Sequence, residues 1–396
     1  MMGIETSEKE IIKGRLTDLP NNILKRKNDI LEVSNFIHEN PELGSEEFLS
    51  SKFILEKIRS LNVEVEENYL GMKTAFRAKV GNGNPKVAVL AEYDALPIGH
   101  ACGHNIIGAW AFGVFSALSS SIKKGTLYLV GTPAEEGRGE YASSKVRIAP
   151  VLKEEGVEAV FTIHPGGEWE VGGNNLGIIR YSLVFKGKNA HAAASPEMGL
   201  NALDAAVTFY TNFRMLHGML GRHHQVVLSA VIKDGGVAPN IIPGISEVWY
   251  DIRSEDDDFL SKIEELSLGI ADSSAALNRC TVEHIQLTPR LSPRKPDPYL
   301  DSIYFRYARK YLGDSVKSPE QAYRDMPRAS SDVGNVSQLI PTVHLGVKVG
   351  PKGMPGHSEE MKYYSLTDEA QEALLTAVAI GYDSITEYLQ NGRNII

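Results

Sequence analysis

Apolar residues recur at helical spacing over residues 24–39, where Ile30, Leu31, Val33, Phe36 and Ile37 share one face. A second helix is predicted after Pro41, over 45–61, with Phe48, Phe53, Ile54 and Ile58 on one side. The rhythm then changes to three short, nearly continuous apolar runs at 87–91, 127–130 and 159–163. Such runs suit strands covered on both faces. Helical stretches lie between them, notably 106–118, so the pattern predicts an α/β layer with a mixed, mostly parallel sheet and flanking helices.

The middle of the chain follows another order. Strands are predicted at 181–186, 225–232, 247–253 and 281–287, with helices at 201–215 and 257–276. A βαββαβ order is the ferredoxin-like pattern. It predicts an inserted α+β domain over 180–289, returning through the Pro-rich stretch 288–298. The catalytic domain is then 1–179 with 290–396, completed by an amphipathic helix at 367–389.

Each of the three apolar runs is followed at once by ionisable residues. The first leads to Glu92, Asp94, His100, Cys102 and His104, the second to Glu135 and Glu136, and the third ends at His164. Ligands of open α/β sheets bind beyond the carboxyl ends of the strands, so one rim collects all three sets. A thiolate and an imidazole one residue apart reach a single metal if Gly103 turns the backbone sharply. Two adjacent carboxylates after a buried strand need a reason, and a metal pair supplies one: one carboxylate binds metal while its neighbour takes a proton from water. His164, before Pro165-Gly166-Gly167, is a further natural ligand. Spacing alone does not select His357 or His191. It leaves His38, His217, His223, His224, His284 and His344 as structural or surface groups, and Cys280 as a small buried hydrophobe.

Composition narrows the classes. The 396 residues are 42% hydrophobic with a net charge of -9, ample for two domains and ill suited to nucleic acid or an anionic membrane. Two cysteines argue against a disulfide framework and fit a reducing compartment. The charged first 27 residues lack a signal-peptide run, and no stretch is apolar enough to span a membrane; a cytoplasmic location is expected. There is no Walker loop, dinucleotide fingerprint or Gly-x-Ser-x-Gly elbow.

Glu92-Tyr93-Asp94-Ala95-Leu96-Pro97 followed by His100-Ala101-Cys102-Gly103-His104-Asn105 resembles the amidohydrolase branch of the aminoacylase/glutamate carboxypeptidase metallopeptidases. The resemblance extends through His38-Glu39-Asn40-Pro41-Glu42-Leu43-Gly44, Gly131-Thr132-Pro133-Ala134-Glu135-Glu136, His164-Pro165, Ala190-His191-Ala192, the stretch from Gly235 to Pro243, Ser331-Asp332 and Gly356-His357-Ser358. It implies that Cys102, His104, Glu136, His164 and His357 hold two divalent metal ions, zinc first, with manganese or cobalt as alternatives. Glu135 would be the general base that later protonates the leaving amine. The inserted domain would be a lid and dimerisation domain. His191 would stabilise the oxyanion in the partner subunit's site, and Asn240 and Arg253 would grip the substrate carboxylate or carbonyl. The implied substrates are small N-acyl amino acids, dipeptides or p-aminobenzoyl-glutamate-like compounds, and the implied assembly is a homodimer.

Two departures stand out. Glu92-Tyr93-Asp94 occupies the place of His-x-Asp in the zinc carboxypeptidases, leaving Asp94 to orient a ligand from behind. Gly334 and Asn335 stand where aminoacylase-type relatives carry an Arg. Two other functions compete with the metal hydrolase: a thiol hydrolase with Cys102 as nucleophile and His104 as base, and a non-catalytic binding protein on the same fold.

Overall fold

The three apolar runs are strands, and their neighbours explain their composition. The computed structural model describes residues 19–220, 226–325 and 329–393. In chain order its strands are β1 (Glu64–Glu67), β2 (Phe76–Asn82), β3 (Lys86–Ala91), β4 (Gly125–Gly131), β5 (Ala159–Gly166), β6 (Trp169–Val171), β7 (Gly177–Lys186), β8 (Ala190–His191), β9 (Val226–Asp234), β10 (Ile241–Ile242), β11 (Ile245–Ser254), β12 (Thr281–Gln286), β13 (Val316–Lys317) and β14 (Thr342–Lys348). The described residues form two compact units. One lies within Met1–Asn174, Lys295–Met326 and Asn335–Ile396, the other within Asn175–Arg294 and Pro327–Gly334.

The first unit holds a sheet of order β1-β2-β4-β3-β5-β14-β6-β13. β3 is parallel to both β4 and β5, and β14 is parallel to β5, while β1 and β2 add an antiparallel edge. Val87, Val89 and Ala91 of β3 enter one apolar cluster, Ala88 and Leu90 another. Both faces are covered, so the strand has no side on which polar residues are favoured. The helix His104–Ser119 is buried along its length from His104 to Leu118, which accounts for its almost unbroken apolar composition.

The second unit is an antiparallel sheet of order β12-β7-β11-β9. The helices Ala202–Leu220 and Asp257–Leu277 cover one face, packing Phe209, Phe213, Leu260 and Ile263 on Leu183, Phe185, Val248 and Ile252. Its first long strand sits between the last and the third, as the ferredoxin-like pattern requires.

The unit's edges lie outside the expected 180–289. Ile178 and Leu291 exchange backbone hydrogen bonds of 2.8 and 3.1 Å, and the Leu176 N–H donates to Ala329 O at 2.9 Å. These bonds carry the second unit out to Asn175 and Arg294 and add the segment ending at Gly334. Periodicity also does not single out β1, β2, β6, β13 and β14, or the helix Pro298–Leu312. Most of these strands are short or half exposed, and so carry a weak signal. Among the described residues no helix is long and apolar enough to cross a membrane.

Candidate metal centre

Because β4, β3 and β5 run parallel and adjacent, their carboxyl ends open onto one edge of the sheet. β3 delivers Glu92 and Asp94, which are 4% and 1% exposed. The chain then enters the helix His104–Ser119 through Gly103, whose φ is 78°. A Cβ there would meet Met361 Cε at 2.8 Å and Pro165 Cγ at 2.9 Å, so backbone angle and space both demand glycine. This turn faces Cys102 toward the end of β5, where Cys102 Sγ lies 3.4 Å from His164 Nε2.

From β4 the chain reaches Glu135 and Glu136, whose carboxylates approach His104 Nε2 to 3.8 and 3.9 Å. The Glu136 N–H donates to Asp94 Oδ2 at 3.0 Å. His357 arrives from far along the chain. Its N–H bonds Ala101 O at 2.9 Å, and its Nε2 lies 3.3 Å from Glu136 Oε1. Ser358 beside it caps the helix Glu359–Tyr364 by accepting from the Met361 N–H. Three overlapping groups of donors result: Cys102 with His104 and His164, Cys102 with Glu136 and His357, and Glu92 with His104 and Glu135.

The donor chemistry fits divalent ions. His104 Nδ1 is 2.9 Å from Asp94 Oδ1, and His164 Nδ1 is 2.8 Å from Pro165 O. With each Nδ1 proton donated to an oxygen, each Nε2 presents a lone pair, the tautomer a metal-binding histidine needs. His104 Nε2 is buried without a hydrogen-bond partner and is ringed by three carboxylates, the nearest being Glu92 at 3.6 Å. A ring nitrogen aimed at anions calls for positive charge between them: a proton in the metal-free protein, which is why the His104 imidazole, despite its burial, is raised well above its usual range, or a metal ion in its place. Burial pushes the Cys102 thiol up, but in the metal-free protein the positive charge that the His164 and His104 rings carry when protonated brings it down to about 6, favouring thiolate. Hydrogen bonds to Cys102 and Glu136 lift the His357 imidazole to about 10, another sign that this anionic cluster attracts positive charge.

Sequence reasoning missed one member of this cluster. Lys145, fully buried, places Nζ 2.9 Å from Glu92 Oε1. The signal was present: on the helix Lys145–Glu154, Lys145 shares the buried stripe of Ile148, Ala149 and Leu152. Removing one partner of a buried pair strands the other charge. Lys145→Met is therefore expected to reduce unfolding free energy by about 3–5 kcal/mol, read by denaturant titration of the metal-free protein. Adding Glu92→Gln should restore most of it. A loss below about 1 kcal/mol, the range of a surface pair, would mean that Lys145 does not compensate Glu92.

The remaining predicted residues lie in the second unit. His191 and Asn240 are neighbours there: His191 pairs with Ile241 across the β8–β10 ladder, and the Ala192 N–H bonds Asn240 O at 3.0 Å. His191 Nδ1 accepts from the Ala193 and Ala194 N–H groups at 3.2 and 3.1 Å. A neutral ring held this way carries its proton on Nε2 and offers a donor. Arg253 sits on β11, 3.7 Å from Asp251 and 3.5 Å from Ser330 Oγ. Gly334 has a structural cause, since a Cβ there would lie 1.8 Å from Ser292 O. Of the histidines left aside, His38 bonds Lys362 O and His284 bonds Asp272. The His217 side chain and the whole of His223 and His224 lie outside what the structure describes.

The model of peptidase family M20/M25/M40 matches residues 88–381. The Xaa-Arg dipeptidase of Mus musculus is 31% identical, over 96% of this chain and 89% of its own length. A p-aminobenzoyl-glutamate hydrolase subunit of Escherichia coli K12 is 31% identical, over 76% of this chain and 66% of its own length. Among solved structures, a dinuclear metal binding peptidase of Bacillus subtilis superposes with a TM-score of 0.69 at 23% identity, covering 92% of this chain and 98% of that one. At that identity it speaks for the fold.

Proposed function

The chain belongs to peptidase family M20/M25/M40, and from that premise we propose a two-metal hydrolase of amide or peptide bonds in small N-acyl amino acids, dipeptides or p-aminobenzoyl-glutamate-like compounds. The observation that carries the reading is the convergence of Cys102, His104, Glu136, His164 and His357 on one strand edge, with Glu135 beside them.

In this reading those five residues hold two divalent ions. Thiolate, imidazole and carboxylate together suit zinc first, and manganese or cobalt next. When bound, the ions acidify the attacking water and polarise the scissile carbonyl. Glu135 takes the proton from that water and returns it to the departing nitrogen. Asp94 fixes the tautomer and aim of His104. Lys145 engages one oxygen of Glu92, leaving the other toward His104. The second unit serves as lid and dimerisation domain of a cytoplasmic homodimer. His191 Nε2–H donates to the oxyanion in the partner's site, and Asn240 and Arg253 bind the substrate's carboxylate or carbonyl.

One observation favours a second reading. The Cys102–His164 contact, with the thiol drawn toward thiolate, is also the geometry of a thiol nucleophile and its base. Metal analysis of protein purified without chelator separates the two, combined with a hydrolysis panel of N-acyl amino acids, dipeptides including Xaa-Arg, and p-aminobenzoyl-glutamate. One to two ions per chain, with activity lost on chelation and restored by metal, is expected. Turnover that survives complete metal removal and disappears on alkylation would transfer the function to Cys102.

A further inference from the structure

We infer that Glu47 is a positioning residue whose buried carboxylate clamps the backbone at Ala134 and so aims Glu135 and Glu136 into the metal centre. The inference rests on the proposed role of Glu135.

Glu47 directly precedes the helix Phe48–Arg59, yet its side chain makes no capping hydrogen bond to it. That duty falls to Glu42, which accepts from the Leu49 and Ser50 N–H groups at 2.8 Å each. The Glu47 carboxylate instead reaches 87 residues along the chain, where Oε1 accepts the Ala134 N–H at 2.8 Å. Its Oε2 accepts from Thr74 Oγ1 at 2.8 Å. Glu47, Thr74 and Ala134 all have no exposure to solvent. Burial and the neighbouring Asp94 charge push the Glu47 carboxyl up to about 7, a cost that a residue placed only for its helix would not require.

What it holds is an unusual conformation. Ala134 has φ 57°, in the left-handed region that a Cβ disfavours. Such a residue persists where its surroundings over-determine it. Here both its peptide groups are fixed: the N–H by Glu47, and the carbonyl by the Ser143 N–H at 2.7 Å and the Gly137 N–H at 3.2 Å.

The segment before Glu47 fits the same loop. A Cβ on Gly44 would meet Arg138 O at 3.0 Å and Ala134 Cα at 3.1 Å, and Ser45 Oγ accepts the Tyr141 N–H at 2.8 Å while donating to Arg138 O at 3.1 Å. The loop is thus suspended between two buried carboxylates, Glu47 at Ala134 and Asp94 at the Glu136 N–H. The Pro41-Glu42-Leu43-Gly44 signature and the residues after it, which carry no reacting group, thereby acquire a role in the reaction.

The test uses the metal-loaded protein, with variants Glu47→Ala, Glu47→Gln, Ala134→Gly and the double variant Glu47→Ala/Ala134→Gly. Hydrogen exchange at the Ala134 amide, metal content, kcat and KM are read for each. Glu47→Ala should speed exchange at Ala134 and lower kcat on the order of 100-fold, the scale of a misplaced catalytic group, with KM unmoved. Glu47→Gln keeps an acceptor oxygen and should stay within about tenfold of the parent. Ala134→Gly removes the penalty on positive φ, so the double variant should recover part of the kcat lost in Glu47→Ala. A packing role for Glu47 gives no such rescue. Unchanged exchange at Ala134 in a folded Glu47→Ala protein, or no rescue by glycine, overturns the inference. If Glu47→Ala does not fold, Glu47→Gln decides: exchange at Ala134 that speeds up with kcat unmoved, or kcat that falls well beyond tenfold with exchange at Ala134 still parental, overturns it. Failure of the Glu135 reading shows separately, as turnover surviving Glu135→Gln, while exchange at Ala134 still reports on the clamp.

Discussion

Replacing Glu135 by glutamine is expected to lower kcat by roughly 10²–10⁴-fold, the contribution of a positioned proton carrier, with metal content, fold and KM close to the parent's. The substitution keeps the shape of the side chain and removes its capacity to take a proton. Glu136 is the neighbouring alternative, but its Oε1 is engaged with His357 at 3.3 Å and its N–H is tied to Asp94. Glu135 stands at the same depth, 3.8 Å from His104 Nε2, with its side chain 10% exposed and able to meet an incoming water. Steady-state kinetics alongside metal analysis on one preparation reads the result. Turnover within about tenfold of the parent would remove Glu135 from the proton-carrier role.

The second large effect is expected at Cys102. Its sulfur belongs to two of the three donor groups, so Cys102→Ser should weaken the hold on both ions rather than on one. Loss of a partner behind a ligand typically costs roughly 10–100-fold in metal affinity, and loss of a shared thiolate should exceed that. The variant should therefore leave purification with less metal than the parent and show little turnover until metal is supplied in excess. Chelator competition measures the affinity and the hydrolysis panel the activity. If Cys102→Ser retains the full metal complement yet shows no turnover even with excess metal, the sulfur acts as a nucleophile and the thiol reading prevails.

These two residues were legible in different ways. Cys102 and His104 attracted notice because Gly103 between them permits a sharp turn, and the structure shows the φ of 78° and the close contact with Pro165 that make the glycine necessary. Glu135 and Glu136 stood out because a buried strand ran straight into two acids. His357 could be singled out only through a family resemblance, since nothing near it in the chain says that its loop returns to Ala101. Lys145 was readable in principle, as a cation on an apolar helical stripe. Glu47 was not, because an acid at the start of a helix is ordinarily a cap.

The sequence by itself determined the α/β layering, the ferredoxin-like order of the inserted segment and the donors at the ends of three strands. Each of these is encoded locally: hydrophobic period reports how many faces of an element are covered, and a residue just past a buried run must emerge at the end of its strand. Tertiary structure alone decided that the second unit extends from Asn175 to Arg294 and recruits the segment ending at Gly334, that Lys145 meets Glu92, that His357 meets Glu136, and that Glu47 holds Ala134. All of these are contacts between residues far apart in the chain. They are set by the order of strands in the sheet and the burial of unlike charges together, and a local pattern of apolar and polar positions carries no information about which distant partner will satisfy a buried charge.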